Sequence, residues 1–250
     1  MNALEVAAAA SLWAQRNVGE KVLLFGGLLL LVISLSPWAV APLVFAIAVV
    51  TAWIARVPMR LLAAMVIAPA TFVLVGITPL LVSVSAEGIM WSPTGPQRAA
   101  EVVMRSIAGI TCTMTFALTT PMSELLVWLE RRGIPRSITY VAELTYRMTD
   151  SLIATARGMH ESQARRLGHT TRRGMVTGVA AQSANLFIVA FARAQKLQDG
   201  LELRAEPGAT RVLAEIRPVD KRFVVVSVGL LFAVLAVWAI IQWYVPDLTR

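Results

Sequence analysis

The apolar residues of this sequence are gathered into long blocks, separated by short polar segments. The blocks occupy residues 22–35, 38–54, 61–84, 102–119 and 223–245. A helix needs about 20 residues, at a rise of about 1.5 Å each, to cross a hydrocarbon core of about 30 Å. The pattern therefore predicts an all-α polytopic membrane protein with about five transmembrane helices, the first of them somewhat short.

The breaks between blocks predict how these helices are connected. Ser36-Pro37 separates the first two blocks and indicates a helical hairpin, whereas Pro69 and Pro79 predict kinks in the third helix. Residues 86–98 are rich in Gly, Pro and Ser and predict an external loop. The fourth block contains several threonines, which predicts a helix that packs against other helices or a partner rather than against lipid.

Between the fourth and fifth blocks the pattern becomes amphipathic. Helices are predicted over residues 122–132, ended by Gly133 and Pro135, then over 136–166 and over 174–204. The centre of the last helix is apolar enough to resemble a span. Gln182, Ser183 and Arg193 shorten its apolar stretch, so we favour a cytoplasmic helix packed on the membrane helices.

These patterns divide the chain into three regions. Residues 1–120 form an N-terminal transmembrane region of about four spans, 121–222 an inserted cytoplasmic domain, and 223–250 a C-terminal transmembrane helix. The inserted domain is built around the two long helices.

Composition and charge agree with a membrane protein. Of 250 residues, 57% are hydrophobic and only 15% are charged, and the formal net charge is +8. Most of the Lys and Arg fall in residues 121–222, where the positive-inside rule explains them without nucleic acid. We therefore expect an integral membrane protein, with the lipid bilayer as partner, a cytoplasmic N-terminus and no nucleic-acid binding.

Candidate catalytic, cofactor and metal sites are absent from the sequence pattern. Asp199-Gly200 followed by Arg204 is similar to the start of the signature of membrane CDP-alcohol phosphotransferases, but the required aspartates are replaced, beginning with Lys196. No glycine-rich phosphate loop is present, and His160 and His169 are too far apart to share one helix face. We predict no catalytic residue, no bound cofactor and no metal ligand.

The two long helices of the inserted domain both close on an arginine, Arg166 and Arg204. A basic surface that contacts anionic lipid would explain the charge alone. An arginine at a helix C-terminus is also favoured by the helix dipole, and its planar fork can bind a carboxylate of a partner through two hydrogen bonds. The flanking residues of the two ends are Ala164, Arg165, Gly168, Glu202 and Ala205. Either Arg165 or Arg166 fits the first position.

Several short motifs in this region occur in a fixed order. Pro121 to Pro135 follows Pro-x-x-x-Leu-Leu-x-x-Leu-x-x-x-Gly-Ile-Pro, Tyr146-Arg147-Met148 comes next, and Gln-Ala-x-Arg-Leu-Gly occupies residues 163–168. With the second arginine end at 204, the chain resembles the transmembrane coupling (T) subunits of energy-coupling factor transporters, closest to the cobalt-type CbiQ branch.

This resemblance implies a non-enzymatic subunit of an ABC-type cobalt importer in the bacterial plasma (inner) membrane. Arg166 and Arg204 would dock into two ABC ATPase subunits, which bind the ATP, and their motion would reach a separate CbiM-like substrate-binding membrane subunit, with or without a small CbiN-like subunit. The chain departs from the family pattern at Leu203 and Ala205. Two alternatives stay open: nickel as the substrate, or an importer permease that forms its own substrate pathway.

Overall fold

A computed structural model describes residues 3–85, 88–91, 95–165, 171–203 and 218–244. The described chain is almost entirely helical, which confirms the predicted fold class. The helices are α1 Ala3–Ala10, α2 Val18–Lys21, α3 Gly27–Ser34, α4 Pro37–Ile54, α5 Met59–Gly76, α6 Thr78–Leu81, α7 Gly95–Thr119, α8 Met122–Arg131, α9 Arg136–Arg165, α10 Arg172–Leu203 and α11 Lys221–Tyr244. A π-helical turn, Val22–Gly26, joins α2 to α3.

The predicted hairpin of the first two apolar blocks is present. Pro37 occupies the first turn of α4, where its missing N–H costs no hydrogen bond. The indole Nε1 of Trp238 donates to Ser36 Oγ at 3.1 Å, so α11 contacts the tip of the hairpin. The turn is therefore fixed by a distant helix as well as by its own proline.

The third span and the loop after it differ from the prediction over 61–84 and 86–98. Helix α5 ends at Gly76, and a short α6 follows before the antiparallel strands β1 Val82–Ser85 and β2 Gly88–Trp91. Pro79 lies in the first turn of α6, which lets a new helix begin there. Helix α7 then begins at Gly95, within the predicted loop, because the polar turns before residue 102 continue the helix that the apolar block predicts.

Helix α7 lies at the centre of the unit formed by residues 2–125 and 215–250, which we call the membrane unit, and contacts α1, α3, α4 and α5. Thr111, Thr115 and Thr119 are buried, and each hydroxyl donates to the carbonyl four residues earlier, at 2.7–2.8 Å. Their polarity is satisfied inside the helix itself, so they can be buried without a polar partner. The prediction that this helix packs against others is confirmed.

The chain separates into two compact units. One contains residues 126–214, and the other contains residues 2–125 together with 215–250. In the first unit, Gly133 adopts a φ of +101°, a conformation that glycine reaches without strain, and it ends α8 as the sequence predicts.

Within the described residues, five helical segments are long and apolar enough to cross a membrane: Pro37–Ile54, Met59–Leu81, Gly95–Thr119, Arg173–Gly200 and Lys221–Tyr244. The number of candidate spans equals the predicted number, but one of the predicted spans is replaced by a different helix. The first predicted span is divided by the π-helical turn, and Arg173–Gly200 takes its place by length and composition alone.

Candidate functional site

Helices α9 and α10 run antiparallel and form the candidate functional site. The contacts join Gln163 to Gly178 near the end of α9, and Ser151 to Arg193 further back. Later residues of α9 therefore contact earlier residues of α10, as in an antiparallel pair. The end of α9 lies beside the start of α10.

Arg193 makes two hydrogen bonds between the two helices. Its guanidinium donates to Ser151 Oγ at 2.7 Å and to Thr155 Oγ1 at 3.1 Å. Residues four apart lie on one helix face, so the hydroxyls of Ser151 and Thr155 can both accept from the planar guanidinium of Arg193. Arg193, which the sequence suggested only as an interruption of an apolar stretch, sets the register of this helix pair.

Two glutamines make further hydrogen bonds between α9 and α10. Gln182 Nε2 donates to the Ala156 carbonyl at 2.8 Å, and Gln163 Nε2 donates to the Gly178 carbonyl at 3.3 Å. A Cβ on residue 178 would lie 3.3 Å from Gln163 Oε1, so the glycine permits this close approach. Gln163 is the first residue of the Gln-Ala-x-Arg-Leu-Gly motif, and this contact fixes the start of the motif against α10.

The structure describes some of the predicted docking residues. Ala164 and Arg165 are exposed at the end of α9. Glu202 is exposed near the end of α10, where it accepts a hydrogen bond from Gln198 Nε2 at 3.0 Å. The others, Arg166, Gly168, Arg204 and Ala205, lie outside the described residues.

The antiparallel arrangement separates the two helix ends. Helix α10 has 32 residues, which corresponds to a length of about 48 Å at 1.5 Å per residue. Arg165 lies beside the beginning of α10, and Leu203 ends the same helix. The described ends of α9 and α10 therefore point to opposite ends of one helical hairpin.

Helix α10 also carries exposed apolar side chains. Val176 and Phe187 are each 71% exposed, and the rings of Phe187 and Phe191 stack with centroids 6.3 Å apart. No residue of its most apolar window is buried. The predicted packing of this helix on the membrane helices stays a prediction.

Two charged residues that bind helix ends in the membrane unit, buried Lys21 and exposed Arg105, were not singled out by the sequence. Lys21 Nζ donates to the Thr119 carbonyl at 2.8 Å, and an Arg105 guanidinium nitrogen donates to the Leu35 carbonyl at 3.1 Å. Both cations bind carbonyls where a helix ends, which the helix dipole favours. Their positions beside or within apolar blocks were the available signal.

Among the described residues, no group of three His, Cys, Asp or Glu side chains could hold a metal ion.

Comparison with known proteins identifies the family. Residues 10–208 match the CbiQ family, described as cobalt transport protein. The chain is 38% identical over 208 residues to the cobalt transport protein CbiQ of Rhodobacter capsulatus, covering 83% of this chain and 85% of the relative. It is 25% identical over 221 residues to CbiQ of Salmonella typhimurium, covering 83% of this chain and 98% of the relative.

A further relative, from Methanocorpusculum labreanum, has a name that describes a fused cobalt transport protein, CbiMQ. It is 25% identical over 145 residues, covering 57% of this chain but only 24% of the relative. The family match and the apolar helices together give a membrane location and a role as a component of a transport system. The chain belongs to the CbiQ family of cobalt transport proteins.

Proposed function

We propose that this chain is the transmembrane coupling subunit of an energy-coupling factor importer for cobalt ions. It catalyses no reaction and binds neither ATP nor the metal. Two ABC ATPase subunits bind ATP and dock at the ends of the two long helices. Their motion reaches a separate CbiM-like substrate-binding subunit, with or without a small CbiN-like subunit, in the bacterial inner membrane.

The observation that supports this proposal is the antiparallel pairing of α9 and α10. It makes one helical hairpin, braced by Arg193 and Gln182, whose helices end far apart. Arg166 and Arg204 are the next residues in the chain after those two ends. A braced hairpin with a cationic residue following each end suits two similar partner sites better than one.

The relatives support the substrate and one partner. CbiQ proteins of two bacteria are named cobalt transport proteins, and cobalt is therefore our first choice over nickel. The fused relative carries both CbiM and CbiQ in its name, which supports a CbiM-like protein as the neighbour in the membrane. In this proposal residues 126–214 face the cytoplasm, where the ATPases are. About four spans separate them from the N-terminus, which therefore also lies in the cytoplasm.

Copurification tests the docking arginines. The chain would be expressed with its two ATPases, and the Arg166→Ala and Arg204→Ala variants compared with wild type. Each substitution would leave a partner carboxylate unpaired, at a cost of about 2 to 5 kcal/mol, so the ATPase retained after washing should fall strongly. ATP-dependent uptake of labelled Co²⁺ should fall with it.

Arg157→Ala is the matched control, because Arg157 is exposed on α9 and should cost less than about 1 kcal/mol. Arg165→Ala shows which of the two neighbouring arginines docks. Full assembly and uptake in both Arg166→Ala and Arg204→Ala would contradict the docking model. Uptake by this chain with the ATPases, but without the CbiM-like subunit, would instead favour a permease, and preferential Ni²⁺ uptake would change the substrate.

A further inference from the structure

Two neighbouring buried charges, Glu20 and Lys21, lie where α2 meets the π-helical turn. Lys21 is completely buried and Glu20 is 3% exposed. Burying charged groups is costly unless each has well-placed partners. Neither residue belongs to the candidate site on α9 and α10, so a different reason for their presence is needed.

Lys21 binds the last residue of α7. Its Nζ donates to the Thr119 carbonyl at 2.8 Å, one of the carbonyls that a helix end leaves without an internal partner. A cation is favourable there because the helix dipole is negative at that end. Thr119 immediately precedes the segment that leads through α8 into the unit of residues 126–214.

Glu20 binds the start of α11. Its Oε1 accepts a hydrogen bond from the backbone N–H of Asp220, and the Asp220 Oδ1 accepts one from the Arg222 N–H at 3.0 Å. A carboxylate is favourable at a helix N-terminus for the same electrostatic reason. Asp220 lies just after the point where the chain returns from the unit of residues 126–214.

A third charged residue, Arg16, strengthens the second contact. Arg16 forms an ion pair with Asp220 at 3.7 Å, and its guanidinium lies 4.6 Å from the Phe223 ring centroid. The Trp13 and Phe223 rings meet edge to face at 5.2 Å. The start of α11 is thus held by a charged and aromatic contact from the N-terminal segment.

We propose that Glu20 and Lys21 form a clamp that fixes the two points at which the chain leaves the membrane unit for residues 126–214, the coupling unit, and returns from it. Adjacent residues on one helix hold the outgoing chain at Thr119 and the returning chain at Asp220. A movement of the coupling unit would then be transmitted to the membrane unit at Thr119 and Asp220, and would not be absorbed by bending of the connecting segments. These are positioning residues, and this inference depends on the proposed coupling function.

The first test measures coupling in purified complexes that contain the ATPases and the CbiM-like subunit, reconstituted in liposomes. Lys21→Met keeps the length of the side chain but removes the charge. We expect it to hydrolyse ATP at near the wild-type rate while Co²⁺ uptake per ATP falls about fivefold or more. Lys21→Arg should restore most of this ratio, because it can still donate to Thr119.

Arg60→Met removes an exposed cation of the same unit and serves as the control. If the role of Lys21 is only structural, uptake and ATP hydrolysis should fall together with the amount of complex, and their ratio should stay at the wild-type value. That result would overturn the clamp. If the wild-type chain itself shows neither ATPase binding nor uptake, the proposed function fails instead.

Hydrogen exchange of the wild-type complex tests the clamp without any variant, including the case in which Lys21→Met does not assemble. Amides around Thr119 and over 219–223 should be equally protected without nucleotide and with a non-hydrolysable ATP analogue. A change of tenfold or more in exchange at either place would show that the clamp opens during the cycle, and would overturn the inference.

Discussion

At the scale of single residues, charged side chains stabilise helix ends of the membrane unit; Glu20 and Lys21 are buried, and Arg105 is exposed. Lys21 and Arg105 donate to carbonyls at Thr119 and Leu35, and Glu20 accepts from the N–H of Asp220. Each sign matches the dipole of the helix end that it contacts. Charged residues near apolar blocks therefore have a structural role here that does not require a substrate pathway.

Gly27 offers a test of packing at this scale. A Cβ on residue 27 would lie 2.7 and 2.9 Å from the two methyl carbons of Leu231, which is too close for van der Waals contact. Because the Leu231 side chain is half-buried and its methyl ends can shift, Gly27→Ala should lower the free energy of unfolding by about 1 kcal/mol, the low end of overpacking costs. Thermal unfolding in detergent measures this as a lower melting temperature.

The matched control is Gly109→Ala, whose Cβ would lie 3.6 Å from a methyl carbon of Leu29, an ordinary contact. It should leave the melting temperature at or slightly above the wild-type value, because alanine is favoured over glycine inside a helix by about 0.5 to 1 kcal/mol. Gly27→Ala combined with Leu231→Ala should be less harmful than the sum of the two changes, because the second removes the clash. Strict additivity would show that Gly27 and Leu231 do not press against one another.

At the scale of helices, α7 and α10 illustrate two ways of treating polar groups. The buried threonines of α7 bond to their own helix, so these hydroxyls need no partner on a neighbouring helix. Helix α10 instead uses Arg193 and Gln182 to bond to α9. The second arrangement determines which helix is the neighbour and in what register.

Arg193→Met should loosen the α9–α10 pair. The substitution keeps an apolar stem but removes both hydrogen bonds, to Ser151 and Thr155, and hydrogen bonds from a charged donor stabilise by about 1.5 to 3 kcal/mol each when buried. Since Arg193 is half-exposed, we expect a smaller total loss of about 1 to 2 kcal/mol. Faster amide exchange over residues 151–163 is the measurement.

Arg193→Lys should have an intermediate effect, because an ammonium lacks the planar fork. Lys196→Met, at an exposed position three residues later, should leave exchange unchanged. If the amides of residues 151–163 exchange at the same rate in Arg193→Met and Lys196→Met, the hydrogen bonds from Arg193 do not hold the helices together.

At the scale of the whole molecule, the central question is whether α10 crosses the membrane. By length and composition it qualifies as a span, yet the coupling model requires it in the cytoplasm. The exposed Trp243 and Tyr244 at the end of α11 fit an interfacial position, which is typical of aromatic residues at a membrane boundary. The two arrangements differ in the side of the membrane on which each end of α10 lies.

Labelling of single cysteines decides the topology. Cys112 is fully buried and should not react, so Val176→Cys, Lys196→Cys and Gln97→Cys each introduce one accessible thiol. In intact cells a membrane-impermeant maleimide should label position 97 at the start of α7. Positions 176 and 196 should both react only after permeabilisation, because both ends of α10 are expected to face the cytoplasm.

Labelling of positions 176 and 196 from opposite sides would show that α10 spans the membrane, and would refute the coupling arrangement. The unmodified chain, with Cys112 alone, provides the background. The same experiment without permeabilisation reports the orientation of the N-terminal half.

The sequence alone determined the class of molecule, because apolar blocks long enough to cross a bilayer leave few other structures possible. It also determined where α8 ends, since Gly133 needs a conformation that other residues avoid. The order of short motifs was sufficient to indicate the family that the comparisons establish. The roles of Arg166 and Arg204 stay predictions.

Only the tertiary structure decided which helix α10 pairs with and which residues anchor the connecting chain. Arg193 bonds to residues about 40 positions away, and Glu20 bonds to Asp220 across 200 positions. Periodicity and helix propensity act over a few residues, so they contain no information about such partners. The break before β1 also depended on context, because a proline permits either a kink or a new helix.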